Sequence, residues 1–499
     1  MNSTLFITSS HGNHYMYDFS KREFMHVHPL IHICYLFDKV QMLDKLVQSP
    51  NEEGLSVLKK YGEENVKYHL NKYIYMKSVG YFGFIEKPPF TQYTGQSILQ
   101  SIANVNNIVF EVTDACNLAC TYCINRKMYS TRISRKKTKL PFNATKATLD
   151  YLVPLWNSEL NKSPYKDIII GFYGGEPLVN FPTIKECVEY CKKIPQRIFK
   201  FMMTTNGTLL DQHMDFLVKN NFRLTISLDG NSKGQSYRTF LNGKNSFNKV
   251  YSNLKLLQKK YPIFWEKNIS FNSVLHNRNN VNDIHQFIYN EFGKIPEIHP
   301  LNNSGIRPEQ REKFKKMFRP YETTLKQDSN RLIKERFTSD PHIFGLCQFL
   351  LWYGRNQFFD FESFLYAPES NIKTTTGTCF PFSRKLYVTA QQKILVCERI
   401  SHQYALGEIQ NNNIILDTEK IAETYNSYYS KLYPQCKTCY MINGCHQCIF
   451  QLDDLNSKVP ICKMYKSEEQ MSNYIKNQID VLEENHINYE KLFKEAILS

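Results

Sequence analysis

Between residues 108 and 301 short apolar runs alternate with helical patterns, and this alternation most limits how the chain can fold. The runs are IVFEVT, DIIIGFYG, IFKFMMTT, FRLTISL, KNISFNSVL and EIHPL. Helical stretches such as NATKATLDYLVPLWNSEL and SFNKVYSNLKLLQKKY lie between them. Strands that are apolar on both faces and separated by helices bury themselves in a parallel sheet covered by those helices. Six such units predict an α/β fold whose sheet curls into a partial (β/α)6 barrel. In such barrels the chemistry sits at the carboxyl ends of the strands.

The flanks read differently. Residues 1–100 hold the β-like runs TLFITSS, HYMYDFS and EFMHVHP, then three helical patterns, LIHICYLFDKVQMLDKLV, EEGLSVLKKYG and ENVKYHLNKYIYM. That order predicts a winged-helix-like module, ahead of a barrel over 101–305. Residues 306–375 read as a helical linker, 376–465 as a cysteine-rich domain of short turns, and 466–499 as a helix. The opening MNSTLFITSSHGNHYMYDF lacks the basic and apolar regions of a secretory signal. The longest apolar stretch, around Ile343 to Tyr353, falls short of the roughly 20 residues a bilayer needs. A cytoplasmic protein with no membrane association is expected. There the 14 cysteines read as metal ligands or reactive thiols rather than disulfides.

Three of those thiols fall in CNLACTYC, at Cys116, Cys120 and Cys123, directly after the first barrel strand. Structural zinc takes four ligands, or three and a water at a catalytic site. Three thiolates in one loop suit an iron–sulfur cube with one iron left open, a three-cysteine zinc loop being the alternative. Further turns follow the next strands. GFYGGEP brings Gly174 and Gly175, which admit close backbone approach, and Glu176, a carboxylate able to take an ammonium group. TTNGT spans 204–208, and SLDG carries Ser227 and Asp229. Seven more cysteines gather late: Cys379, Cys397, Cys436, Cys439, Cys445, Cys448 and Cys462. A zinc ribbon would account for four of them, and seven exceed one such site. Cys187 and Cys191, four apart, read as packing thiols on one helix face.

In this order the motifs resemble the radical SAM superfamily, with CNLACTYC fitting its CxxxCxxC loop and Tyr122 as the aromatic residue before the last cysteine. The resemblance implies a 4Fe–4S cluster on Cys116, Cys120 and Cys123, whose open iron holds S-adenosylmethionine (SAM). It matches Gly174, Gly175 and Glu176 to the segment holding the methionine amino group, and Ser227 and Asp229 to the segment near its carboxylate and ribose. Arg238 is a further candidate for that carboxylate. The late cysteines resemble the SPASM extension, which carries auxiliary 4Fe–4S clusters. By that resemblance Cys436, Cys439, Cys445 and Cys462 hold one cluster, and Cys379, Cys397 and Cys448 another. Cys347 is a possible further ligand, although burial among apolar neighbours is the expected reading. Two departures mark this chain: only two residues separate Cys445 from Cys448, and Gln392 stands where a glycine is expected before Cys397. The implied function is maturation of a ribosomally made peptide whose leader binds the N-terminal module, with thioether crosslinking as the candidate reaction and flavodoxin or ferredoxin as electron donor. Glu398 keeps open a rival, anaerobic sulfatase maturation, in which it would be the catalytic base. The net charge of +15 motivates an RNA-modifying alternative, but the densest basic run, Arg132 to Leu140, is short and isolated. A cluster-bearing scaffold or electron carrier without catalysis is the last alternative.

Overall fold

The structure is a computed structural model, and it describes residues 2–84, 90, 92–129, 136–303, 305–320, 346, 349–350, 353, 376–452 and 454–484. Cys347 and most of the 306–375 segment lie outside them. By internal contacts the chain divides into two units: Gln92–Leu332 with Cys379–Asn426, and Met1–Thr91 with Ile333–Thr378 and Ser427–Ser499.

The first unit is built on a ten-stranded sheet. Its six parallel strands are β4 (Asn107–Thr113), β5 (Ile168–Gly174), β6 (Phe199–Thr205), β7 (Arg223–Ser227), β8 (Ile269–Leu275) and β9 (Pro296–Pro300), paired in sequence order. Each lies on an apolar run read from the sequence. Helices Phe142–Trp156, Phe181–Cys191, Leu210–Lys219, Phe247–Lys260 and Val281–Phe292 fall between them. Cys187 and Cys191 are fully buried on the second of these, as packing thiols. Four more strands extend the β4 edge: β10 (Leu386–Val388), β11 (Lys393–Leu395), β12 (Gly407–Gln410) and β13 (Asn413–Leu416). β10 pairs parallel with β4, and the rest follow antiparallel.

The division therefore differs from the expected one. Residues 376–465 are not one body, because Leu386, Tyr387 and Val388 are fully buried strand partners of Ile108, Val109 and Phe110. Helix Gly95–Asn104, which the expected boundary at residue 100 would divide, also belongs to this unit. It is opened by a Thr94–Ser97 capping box and buries Ile98, Ile102 and Ala103.

The second unit carries an antiparallel sheet of β1 (Thr4–Thr8), β2 (His14–Asp18) and β3 (Glu23–His26), followed by helices Pro29–Lys39, Glu52–Tyr61 and Glu63–Ser78. Met16, Leu30, Ile31, Cys34, Val66 and Tyr73 form one core between them. Leu5, Ile7, Tyr17 and Phe19 form another with Met471, Ile475 and Ile479 of helix Glu468–Glu484, and with Cys439, Tyr440 and Met441. The N-terminal strands thus share a core with the C-terminal segment instead of standing alone. Among the described residues no helix is long and apolar enough to cross a membrane.

Candidate functional site

The cysteine loop leaves the carboxyl end of β4 and opens onto a cavity of about 320 Å³. Cys116, Cys120 and Cys123, each half-buried, line it with Tyr122, Gly174, Gly175, Glu176, Ser227 and Arg238. Nine of the ten residues the sequence nominated for this cluster and its cofactor, all but Asp229, therefore line one cavity.

Backbone pairing holds the loop in place. Ala119 N donates to Thr239 O at 2.6 Å and Thr121 N to Tyr237 O at 3.0 Å. Leu118 N donates to Cys116 Sγ at 3.4 Å, and Asn206 Nδ2 approaches the same sulfur at 3.9 Å. Burial pushes the Cys120 thiol up to about 12, so a bound cation would be needed to ionise it; coordinating metals deprotonate thiols outright.

The two glycines serve the protein's own backbone. A Cβ on Gly174 would sit 2.1 Å from Thr113 O, and one on Gly175 would sit 2.1 Å from Ala115 O. Gly174 also has φ +144°, where side chains are disfavoured. Gly175 N and Glu176 N donate to Thr113 O and Ala115 O at 2.8 and 2.9 Å, fastening the β5 exit against the start of the cysteine loop. Glu176 is 1% exposed. Its carboxylate accepts from Thr205 Oγ1 and Asn206 N, both at 2.7 Å, and from Leu178 N at 3.2 Å. Burial outweighs these donors and raises the carboxyl to about 7. Asn206 then donates to Asn117 Oδ1 at 2.9 Å, and Asn117 to Thr208 Oγ1 at 2.8 Å. TTNGT therefore clamps the cysteine loop, a role its turn-like composition did not reveal.

Asp229 stands behind the wall. It is fully buried and pairs bidentately with Arg238, Nε and Nη2 each at 3.0 Å. Val274 N donates to it at 2.9 Å, the Tyr122 hydroxyl donates to it, and His276 Nε2 lies 3.7 Å away. Burial alone would raise this carboxyl, but Arg238 and His276 hold it at about 2. Asp229 is thus a support for Arg238 and Tyr122, and Arg238 carries the positive charge onto the cavity wall. The sequence reading missed His276. Its signal was position alone, as the first residue after β8.

The late cysteines separate. Cys436, Cys439, Cys445 and Cys462 line one small space with Leu432, Ile442, Met464 and Tyr465. Gly377 N donates to Cys445 Sγ at 3.2 Å and Lys466 N to Cys439 Sγ at 3.4 Å. Cys379 and Cys397 belong to the first unit and Cys448 to the second. Glu398 is outside the cavity lining and pairs with Lys385 at 2.9 and 3.2 Å. Gln392 sits in the β10–β11 turn with φ +61°, the conformation for which glycine would be favoured.

The sulfur spacing tests the zinc alternative. A tetrahedral zinc with about 2.3 Å to each thiolate would draw the sulfurs to about 3.8 Å from one another. Among the described residues no three sulfurs lie mutually within 4.8 Å. Neither thiol set therefore stands at the spacing of a closed zinc tetrahedron.

Comparison with known proteins adds the following. Residues 110–288 match the Radical SAM superfamily model. Radical SAM cyclopropyl synthase TigE of Paramaledivibacter caminithermalis is 27% identical over 218 residues, 43% of each chain. A cysteine-type anaerobic sulfatase-maturating enzyme of Clostridium novyi is 27% identical over 261 residues, 50% of this chain and 66% of that one. The chain spans about half the length of the curated relatives it matches. A solved structure, native anSMEcpe with bound AdoMet, aligns over 78% of this chain and 99% of its own, at 18% identity and TM-score 0.49.

Proposed function

We propose that this chain, whose residues 110–288 form a radical SAM domain, is an iron–sulfur enzyme that generates a 5′-deoxyadenosyl radical and uses it on a ribosomally made peptide. The observation that carries the reading is the single cavity lined by three thiols, the Gly174–Glu176 turn, Ser227 and Arg238. Cys116, Cys120 and Cys123 would hold a 4Fe–4S cluster through three of its irons. Gly174, Gly175, Glu176, Ser227, Arg238 and Tyr122 would face SAM. When bound, the pair supplies reductive cleavage of the sulfonium and hence the radical.

The chain's own part is orientation and exclusion of water. Arg238, locked by Asp229, offers a fixed charge suited to a carboxylate. Glu176 ties the β5 and β6 exits together, which would hold the wall in shape as ligand enters. Val274, Pro300 and Leu301 make part of the lining apolar. Cys436, Cys439, Cys445 and Cys462 would hold an auxiliary cluster.

For the peptide, the support is the three-stranded sheet ordered β1-β2-β3, which leaves β3 paired on one side only among the described residues. An extended leader can add to such an edge. The sulfatase-maturation alternative needs Glu398 as a base. Burial would raise that carboxyl, but the Lys385 charge outweighs it and holds it below its ordinary range, which makes a weak base.

The test is anaerobic loading with iron and sulfide, reduction, and assay for deoxyadenosine. Formation by the parent and none by Cys120→Ala is expected. Full formation by a Cys116/Cys120/Cys123 triple alanine variant would overturn the reading. Incubation with a cysteine-containing precursor peptide should then give a product two hydrogens lighter if the bond is a thioether.

A further inference from the structure

The cysteine loop is flanked by positive charge that the cavity does not use. After Cys123 the chain continues through Arg126 and exposed Lys127 to buried Met128 and Tyr129. Arg307 N donates to Met128 O at 3.0 Å and Arg307 Nε to Tyr129 O at 3.2 Å. Helix Arg311–Met317 follows and buries Phe314 and Met317 in one cluster with Tyr122, Met128 and Tyr129. Its outward residues Arg311, Lys313, Lys315 and Lys316 are exposed. At the loop's other end, Lys136 N donates to Asp114 Oδ2 at 3.0 Å and Lys139 bridges Thr113. Lys136, Lys137 and Lys139 are exposed there.

Acidic groups offset little of this. Glu312 is taken by Lys315 at 2.8 Å, and Glu309 lies 3.9 Å from Arg307. None of these basic residues is among those lining the cavity. A peptide reaching the reacting atoms would meet Tyr173, Asn272, Val274 and Leu301 instead. The charge is therefore offered outside the cavity, on the segments that flank the cysteine loop.

We infer that this basic collar around the cysteine loop, Lys127 and helix Arg311–Met317 with Lys136 and Lys137, is the docking surface for an acidic one-electron carrier protein. The inference rests on the iron–sulfur reading above. Its redox balance is simple: the reduced carrier loses one electron, the loop's cluster gains it, and no bond forms or breaks. Opposite net charges steer such encounters and raise their rate at low salt. Docking there would leave the cavity lining to substrate, since none of these basic residues belongs to it.

The experiment uses the full-length chain and a Lys127→Glu/Lys313→Glu/Lys316→Glu variant, with flavodoxin as probe. Oxidised flavodoxin binding is measured first by calorimetry, which needs no cluster. Then the loaded proteins are reduced by flavodoxin hydroquinone or by dithionite, following the visible absorbance. The variant should lose flavodoxin affinity and slow at least about tenfold with flavodoxin relative to dithionite, with a flatter salt dependence. Equal affinity and an equal rate ratio in parent and variant would overturn the docking surface. So would unchanged flavodoxin behaviour with lost binding to RNA, which would assign the collar to nucleic acid. A parent that binds flavodoxin through these lysines but takes up no iron would instead overturn the iron–sulfur reading.

Discussion

The two cysteine sites use the same side chain to opposite ends. At the β4 exit three half-buried thiols face a cavity of about 320 Å³ whose other walls are strand-exit turns, a buried arginine and apolar side chains. In the C-terminal segment four thiols, with Cys436 and Cys439 buried, surround a small space closed by Leu432, Ile442 and Met464. Both sites offer backbone N–H groups to sulfur, the device that tunes iron–sulfur potentials. What differs is the fourth side. On the proposed reading four thiols would complete a ligand set, whereas three would leave a coordination site facing the cavity. Ligand count and wall composition together, not cysteine content, would then separate a reacting centre from a structural or relay one.

The largest expected effect breaks the sites apart. Cys120→Ala should bring deoxyadenosine formation to background while the C-terminal site keeps its iron. Cys445→Ala should lose that iron and leave peptide-independent SAM cleavage within about tenfold of the parent, the range over which supporting groups tune a metal site. Iron analysis and a deoxyadenosine assay on both variants check this. Equal loss of cleavage in both would erase the distinction.

Next comes the support behind the open site. Asp229→Asn removes one partner of a buried ion pair and should cost about 3–5 kcal/mol. Tyr122→Phe, which removes one hydrogen bond to the same carboxylate, should cost about 1–2 kcal/mol. Urea unfolding of the unloaded proteins measures both, and the closed site's iron content should stay unchanged in each.

A pH dependence of similar size belongs to Glu176. Its carboxyl is raised from 4.5 to about 7 in the folded state, so its contribution to stability is fully present below about pH 4.5 and is lost as pH rises to about 7. The stability of the parent relative to Glu176→Gln should therefore fall by about 3 kcal/mol across that window. Asp229 runs the other way. Its carboxyl is lowered from 3.8 to about 2, so it stabilises above about pH 3.8, and that stabilisation fades as pH falls toward 2. A flat Glu176 difference curve would mean that water reaches that carboxylate.

The smallest effect lies near neither reacting group. Gln392→Gly relieves a positive φ in the β10–β11 turn and should raise stability by no more than about 1 kcal/mol. Any change in deoxyadenosine formation would tie that turn to the open site.

Spacing within a loop and alternation along a chain are local properties, and both are legible in the sequence itself. CNLACTYC, GGEP and SLDG could be assigned to strand exits because a strand followed by a helix has one direction to turn, and parallel pairing then brings all carboxyl ends to one side. The six barrel strands were read the same way. Long-range choices were not legible. That Asp229 backs Arg238 while Glu176 clamps Thr205 and Asn206 depends on which side chains a particular packing leaves buried, since any carboxylate behind a strand reads alike in one dimension. Nor did composition reveal that Leu386–Val388 would join β4, or that Leu5 and Tyr17 would share a core with Met471 and Ile475. Those pairings join residues hundreds of positions apart. They are decided by where unburied apolar edges and faces remain once the local elements have formed, which only the folded chain as a whole determines.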